Sequence, residues 1–231
     1  MRERLPTLTR EHDLSIAASA RDAIDSKQDF FVLTGSYSIE ALTKGEEVSH
    51  NDIDANVFTN DIPRSMARAG LVLAGGALLN AMRVENVKPN RLEYAIETEK
   101  GTRDLEIQFI EYDNAVITNE EIRFRLNSKS GKEIIVPTVL ATLDVNAAAE
   151  EEFRVKSLEF AVATWALRIS GLALSQKRPV RQTDIDHFVF LAQASHSNEG
   201  VIESMRLHPQ MPENESPRRV FEIALEKVDN L

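Results

Sequence analysis

The chain has 231 residues and carries 37 acidic against 27 basic side chains, a formal net charge of −10. Lys and Arg drive binding to a nucleic-acid backbone by displacing condensed counterions, so this balance excludes a general nucleic-acid binder. With 42% hydrophobic and 28% charged residues and no cysteine, the composition is that of a folded cytoplasmic protein, and it excludes disulfides, thiolate metal sites and a cysteine nucleophile.

Met1 to Arg10 is charged and lacks the apolar core of a targeting signal. No later apolar run approaches the roughly 20 residues that span a bilayer, so no membrane is expected. Leu14, Ile16, Ala17, Ala20 and Ile24 recur at helical spacing and predict an amphipathic helix from Thr9 to about Lys27. Phe30–Leu33 predicts a short strand that ends in Thr34, Gly35 and Ser36. A helix over Tyr37–Thr43 follows, closed by Gly45. Asp52–Phe58 alternates, with Asp52, Asp54 and Asn56 on one face and Ile53, Ala55 and Val57 on the other, as in a strand with one polar side. Pro63 suits the start of a helix over Ser65–Gly70, running into the apolar segment Leu71–Leu79.

Arg91–Thr98 and Arg103–Tyr112 predict a hairpin turning at Glu99, Lys100, Gly101 and Thr102, and Ile134–Val136 a further strand before Pro137. After the Ala147–Glu152 run the pattern predicts helices over Phe153–Leu174, Arg181–Ala194 and Pro217–Val228, with Asn198, Gly200, Pro209 and Pro212 as punctuation.

The chemistry concentrates between Leu33 and Phe58. Gly35 and Ser36, between strand and helix, leave backbone N–H groups at a helix N-terminus, where the dipole favours a phosphate. A plain turn capped by Ser36 has the same wording. Asp52 and Asp54, two residues apart on a strand, point to one face about 6–7 Å apart, within range of a shared hard cation. Without a cation two such charges repel, unless they are solvated on an exposed strand.

Gly35-Ser36, the following helix, Gly45 and then His50-Asn-Asp52-Ile-Asp54 resemble the signature of the nucleotidyltransferase superfamily with the DNA polymerase β catalytic fold. Within it, the wording is similar to aminoglycoside and lincosamide nucleotidyltransferases and to the nucleotidyltransferase toxins of abortive-infection systems. The resemblance implies an α+β fold, with a mixed-sheet nucleotidyltransferase domain over 1–140 and a helical domain over 141–231. It implies a third carboxylate on a neighbouring strand, for which Glu106 in Leu105-Glu106-Ile107 is favoured. The family usually has aspartate there, so Asp104 is the alternative.

By the same resemblance, Asp52, Asp54 and Glu106 hold two Mg²⁺ ions while a hydroxyl acceptor attacks the α-phosphate of a nucleoside triphosphate. Gly35 and Ser36 would hold the β- and γ-phosphates. A helical lysine, Lys156, would reach a phosphate, with the acidic helix start Arg181–Asp186 beside it. Lys156 as a surface lysine, and Thr183 with Asp186 as a capped helix start, are the structural alternatives. His50 shares the face of Asp52, where it orients the turn or pairs with an aspartate, contact with metal or nucleotide being the alternative. Trp165 is assigned to core packing, and His12, His187, His196 and His208 to structural or exposed positions. The acidic composition favours a small cationic acceptor such as an amino sugar. The alternatives are a toxin-like enzyme acting on transfer RNA or protein, with an antitoxin partner, and a catalytically silent nucleotide-binding module.

Overall fold

The computed structural model describes residues 7–43, 52–75, 82–98, 101–118, 120–125, 133–146, 149–171 and 180–229. Gly45, His50, and Glu99 and Lys100 of the hairpin turn lie outside the described residues. The elements run α1 (Thr7–Ile24), β1 (Asp29–Thr34), α2 (Gly35–Thr43), β2 (Asp52–Thr59), α3 (Ile62–Gly75), β3 (Met82–Lys88), β4 (Arg91–Thr98) and β5 (Gly101–Glu111). They continue with β6 (Asp113–Ile117), β7 (Glu121–Arg125), β8 (Glu133–Asn146), β9 (Ala149–Lys156), α4 (Leu158–Ser170), α5 (Gln182–Ala194), α6 (Asn198–Leu207) and α7 (Pro217–Asp229). Among the described residues no helix is long and apolar enough to cross a membrane.

The strands form one mixed sheet in the order β3-β4-β5-β2-β1-β9-β8-β7-β6. Its centre is set by alternation. In β2 the inward residues Ile53, Ala55 and Val57 are buried, as are Leu105 and Ile107 of the parallel neighbour β5, and together they pack against Leu14, Ala17 and Ala20 of α1. Each such large apolar side chain contributes about 1.5–3 kcal/mol by leaving water. The period of two then obliges Asp52, Asp54 and Glu106 to face the opposite side of the sheet.

That side is met by the helices. Phe160 of α4 is buried with Val32, Phe58 and Phe124 of the sheet, while Ile39 of α2 joins Ala163, Leu167 and Phe188 in the core of α4–α7. The acids therefore look into the seam between sheet and helices.

Three expectations are corrected. Residues 149–156 form strand β9 rather than the start of a helix, because Phe153 and Val155 are buried while Glu152 is exposed and Arg154 and Lys156 are half-buried, a period of two. The sheet consequently continues past residue 140, and the helices begin at Leu158, where the Ser157 hydroxyl accepts from the Phe160 N–H and Gly171 (φ 78°) stops α4. Asn198 and Gly200 open helix α6 instead of interrupting the chain. Ser197 caps it through the Gly200 N–H at 3.0 Å, and Val201, Ile202 and Met205 give it a buried face.

Candidate active site

β1 ends at Thr34, which is paired with Asp54 of β2, and the chain turns directly into α2 at Gly35. Gly35 has φ +65°, and a Cβ built there would stand 2.3 Å from Asp54 Oδ2, so both backbone and space demand glycine. Ser38 Oγ donates to the Gly35 carbonyl at 2.8 Å, and the buried Tyr37 hydroxyl donates to Asp13 Oδ2 of α1 at 2.6 Å. These bonds seat the helix N-terminus beside the carboxylate. Gly35, Ser36 and Ser38 of the first turn line a cleft of about 320 Å³, in the size range of small-molecule sites.

The same cleft is lined by Asp52, Asp54 and Glu106. Parallel pairing of β2 with β5 sets Asp54 beside Glu106 and Asp52 beside Asp104. Glu106 faces the cleft, and Asp104 is exposed at the outer register. Burial pushes the Asp54 carboxyl up to about 7, with Asp52 and Glu106 raising it further and Arg91 and Arg181 opposing them. Arg91, on β4, pairs with Glu93 at 2.6 Å and with Glu106 through the same Nη2. Among the described residues, no three His, Cys, Asp or Glu side chains are grouped so as to hold one metal ion. Asp52 and Asp54 offer the hard oxygens a divalent cation takes, whereas Glu106 lies against a guanidinium.

The opposite wall is cationic. Lys156 lies at the end of β9 rather than on a helix, its Nζ 6.0 Å from the Phe160 ring centroid, and burial lowers it to about 8. Beyond it stand Thr164, Trp165 and Arg168 of α4, with Arg181, Thr183 and His187 at the start of α5. The Arg168 guanidinium lies 5.0 Å from the Trp165 ring centroid, and His187 meets that ring edge-on at 5.1 Å. Trp165 and His187 are thus cleft residues as well as packing ones, which the sequence reading missed. A legible signal existed: Ala161, Thr164, Trp165 and Arg168 are spaced by three, one and three along α4, a single helical face.

Asp184 fixes that wall. It is fully buried and accepts from the Arg181 backbone N–H and Arg181 Nη2, each at 3.0 Å, with Arg168 Nη2 at 3.1 Å. The capping carboxylate of α5 is therefore Asp184, whereas Asp186 accepts from Gln182 Nε2. Burial would raise Asp184, but the Arg181 hydrogen bonds and the two guanidiniums outweigh it and hold the carboxyl below its usual range. The stability this contributes is complete above the ordinary carboxylate pKa and is lost as pH falls through the folded value. Asp184→Ala should cost about 2–4 kcal/mol in chemical denaturation at neutral pH, because two guanidiniums lose their carboxylate, and Asp184→Asn should recover part of that.

His208, buried behind this wall, stacks on Phe160 with ring centroids 4.9 Å apart. Its Nδ1 accepts from the Gln210 N–H at 3.2 Å, so the proton sits on Nε2, 3.2 Å from the Thr164 hydroxyl. Burial, reinforced by the Lys156 charge, keeps the ring neutral, with a value near 3.

A glycine-serine turn at a helix N-terminus beside two strand carboxylates, on a mixed sheet backed by helices, is the arrangement of the nucleotidyltransferase fold, and this chain has that fold. An antigenic nucleotidyltransferase-like protein from Paracoccidioides brasiliensis superposes with a TM-score of 0.51 at 12% identity, over 96% of this chain and 90% of that one. The lincosamide antibiotic adenylyltransferase LnuA, solved with lincomycin bound, gives 0.47 at 14% identity, over 84% of this chain and 100% of that one. The antibiotic-resistance factor ANT(2'')-Ia gives 0.48 at 13% identity, over 96% of each chain. No family model and no curated protein matches the sequence.

Proposed function

We propose that this chain is a nucleotidyltransferase that moves a nucleoside monophosphate from a nucleoside triphosphate to a hydroxyl acceptor. One observation carries the reading: the Gly35–Ser36 helix start, the Asp52 and Asp54 carboxylates and the Lys156 ammonium line a single cleft, although they come from three separate elements. Backbone N–H groups at the head of α2 and the Ser36 hydroxyl suit the β- and γ-phosphates, with Lys156 and Arg181 supplying positive charge from the facing wall. Trp165 offers a ring face to a flat heterocycle. Asp52 and Asp54 would hold Mg²⁺ through hard carboxylate oxygens, with Glu106 as the third carboxylate of this reading, and the ion would supply neutralisation of phosphate charge. The acceptor oxygen bonds to the α-phosphorus as its proton departs, and the bond to pyrophosphate breaks.

The acceptor belongs to the same proposal. Asp52, Asp54 and Asp104 share one face of β2 and β5, and this acidic side favours a cationic hydroxyl compound of the amino-sugar class; transfer RNA is the next acceptor to screen. A second reading, a nucleotide-binding module without transfer, is favoured by the Glu106–Arg91 pair.

Calorimetric titration of nonhydrolysable triphosphates with and without Mg²⁺ tests the site. Mg²⁺-dependent binding is expected, and absence of binding by all four triphosphates to folded protein would refute it. Lys156→Gln should weaken binding about 10–100-fold, as loss of a charged hydrogen bond does. Because Lys156 loses its charge above about 8, affinity should fall as pH rises through that value in the wild type and stay level in the variant. Pyrophosphate release with an acceptor separates the enzyme from the silent module.

A further inference from the structure

Thr164 of α4 lines the cleft, half-buried, and the proposed chemistry gives it no part. Its hydroxyl donates to the Phe160 carbonyl, one turn earlier, at 2.8 Å. His208 fixes the other side of that oxygen. Nδ1 of the ring accepts from the Gln210 N–H at 3.2 Å, so the one proton of the neutral imidazole is on Nε2, which donates to Thr164 Oγ1 at 3.2 Å. The ring is buried and stacked on Phe160, so packing holds this edge toward Thr164. A hydroxyl has one proton and two lone pairs. Among the described residues the proton goes to Phe160 and one lone pair to His208, which leaves one lone pair and no donor for the cleft.

Its place along the wall says what meets it. Lys156 Nζ lies 6.0 Å from the centroid of the same Phe160 ring on which His208 stacks, while Trp165 and Arg168 continue α4 beyond Thr164. With phosphates at Lys156 and the flat heterocycle at Trp165, the part of a nucleotide that lies between them is the sugar. Resting on the reading of the cleft as a nucleotide site, we infer that Thr164 reads the sugar: its hydroxyl, held as a pure acceptor by His208 and the Phe160 carbonyl, takes a hydrogen bond from a ribose hydroxyl and selects ribonucleotides over deoxynucleotides. A deoxy sugar leaves that lone pair facing a C–H group, and a site built to bond a substrate hydroxyl rejects the analogue without it.

The test is calorimetric titration of the full chain, in Mg²⁺, with the nonhydrolysable triphosphate of whichever of the four bases binds most tightly, beside its 2′-deoxy, 3′-deoxy and corresponding fluoro forms. Removing one of the two ribose hydroxyls should weaken binding to wild type about 3–10-fold, as loss of one neutral hydrogen bond does. Fluorine at that carbon accepts but cannot donate, so the fluoro form should bind as weakly as the deoxy form. Thr164→Val should bring the ribo and deoxy forms within about twofold of each other, whereas Thr164→Ser, which keeps the hydroxyl, should retain the preference. Should Thr164→Val fail to fold, because it strands the buried His208 N–H, the fluorine comparison in wild type decides alone. Equal affinity of wild type for the ribo and both deoxy forms, recovery of full affinity by fluorine, or a preference left intact in folded Thr164→Val would overturn the inference about Thr164 while leaving the nucleotide site standing. No binding of any of the four triphosphates by folded wild type would overturn both.

Discussion

Asp54→Asn is expected to abolish Mg²⁺-dependent triphosphate binding and, in the same protein without metal, to raise the melting temperature at pH 8. The two effects have one cause. Asp54 is pushed up to about 7, first by burial and then by Asp52 and Glu106, so its negative charge is under-compensated in the folded chain. A carboxyl with a higher pKa folded than unfolded binds its proton more tightly in the native state. Its stability contribution is therefore most favourable below the unfolded value of 3.8 and declines as pH rises toward about 7. Asparagine removes that penalty, and about 1–2 kcal/mol of stability should be recovered at pH 8. For a chain of this length that amounts to roughly 3–6 °C in melting temperature.

The same uncompensated charge is what a divalent cation requires. Wild type should thus gain stability on adding Mg²⁺ at pH 8, by linkage, and the variant should not. Differential scanning calorimetry of both proteins with and without Mg²⁺ checks all four values. A variant that melts lower than wild type in the absence of metal, or that is still stabilised by Mg²⁺, would remove Asp54 from the metal site.

Gly35→Ala is the second large effect. The added Cβ would lie 2.3 Å from Asp54 Oδ2 and 3.0 Å from Asp54 Cβ, and the backbone there holds φ +65°. A non-glycine residue in the left-handed region costs about 1–2 kcal/mol by itself, and relief of the contact has to move either β2 or the head of α2. A total loss of about 2–4 kcal/mol is expected, together with a loss of triphosphate affinity of at least about 100-fold, because both halves of the proposed phosphate and metal site shift at once. Chemical denaturation and the same calorimetric titration separate the two losses. A contrasting substitution, Gly70→Ala on α3, has only the Tyr94 hydroxyl at 3.9 Å from the new Cβ and should be neutral or stabilising.

The part of the site within one strand-turn-helix-strand run was readable before any folding was considered. Gly35 and Ser36 fall between two periodic segments, and the period of two in Asp52–Phe58 alone puts both aspartates on the side away from Ile53 and Ala55. Lys156 lines the cleft, but from the end of a strand and not from the helix to which the sequence reading assigned it. Phe153 and Val155 fit the strand period as well as the helical one when read into Trp165 and Leu167, and only the pairing of Val155 with Leu33 and Val139 decides for a strand. Trp165 was read as packing and His187 as structural or exposed because single-residue patterns cannot say which side of a helix meets a sheet edge.

Sequence by itself therefore determined the glycine-serine turn, the shared face of Asp52 and Asp54, and the order of most strands and helices, since each depends on steric preferences and side-chain periods over a few neighbouring residues. Tertiary structure alone decided that Glu106 rather than Asp104 reaches the cleft, that Arg91 arrives against it, and that Lys156, Arg168 and Arg181 form the facing wall. Those outcomes are set by strand register and helix docking between segments distant in the chain, where a shift of one residue would turn every side chain to the other face.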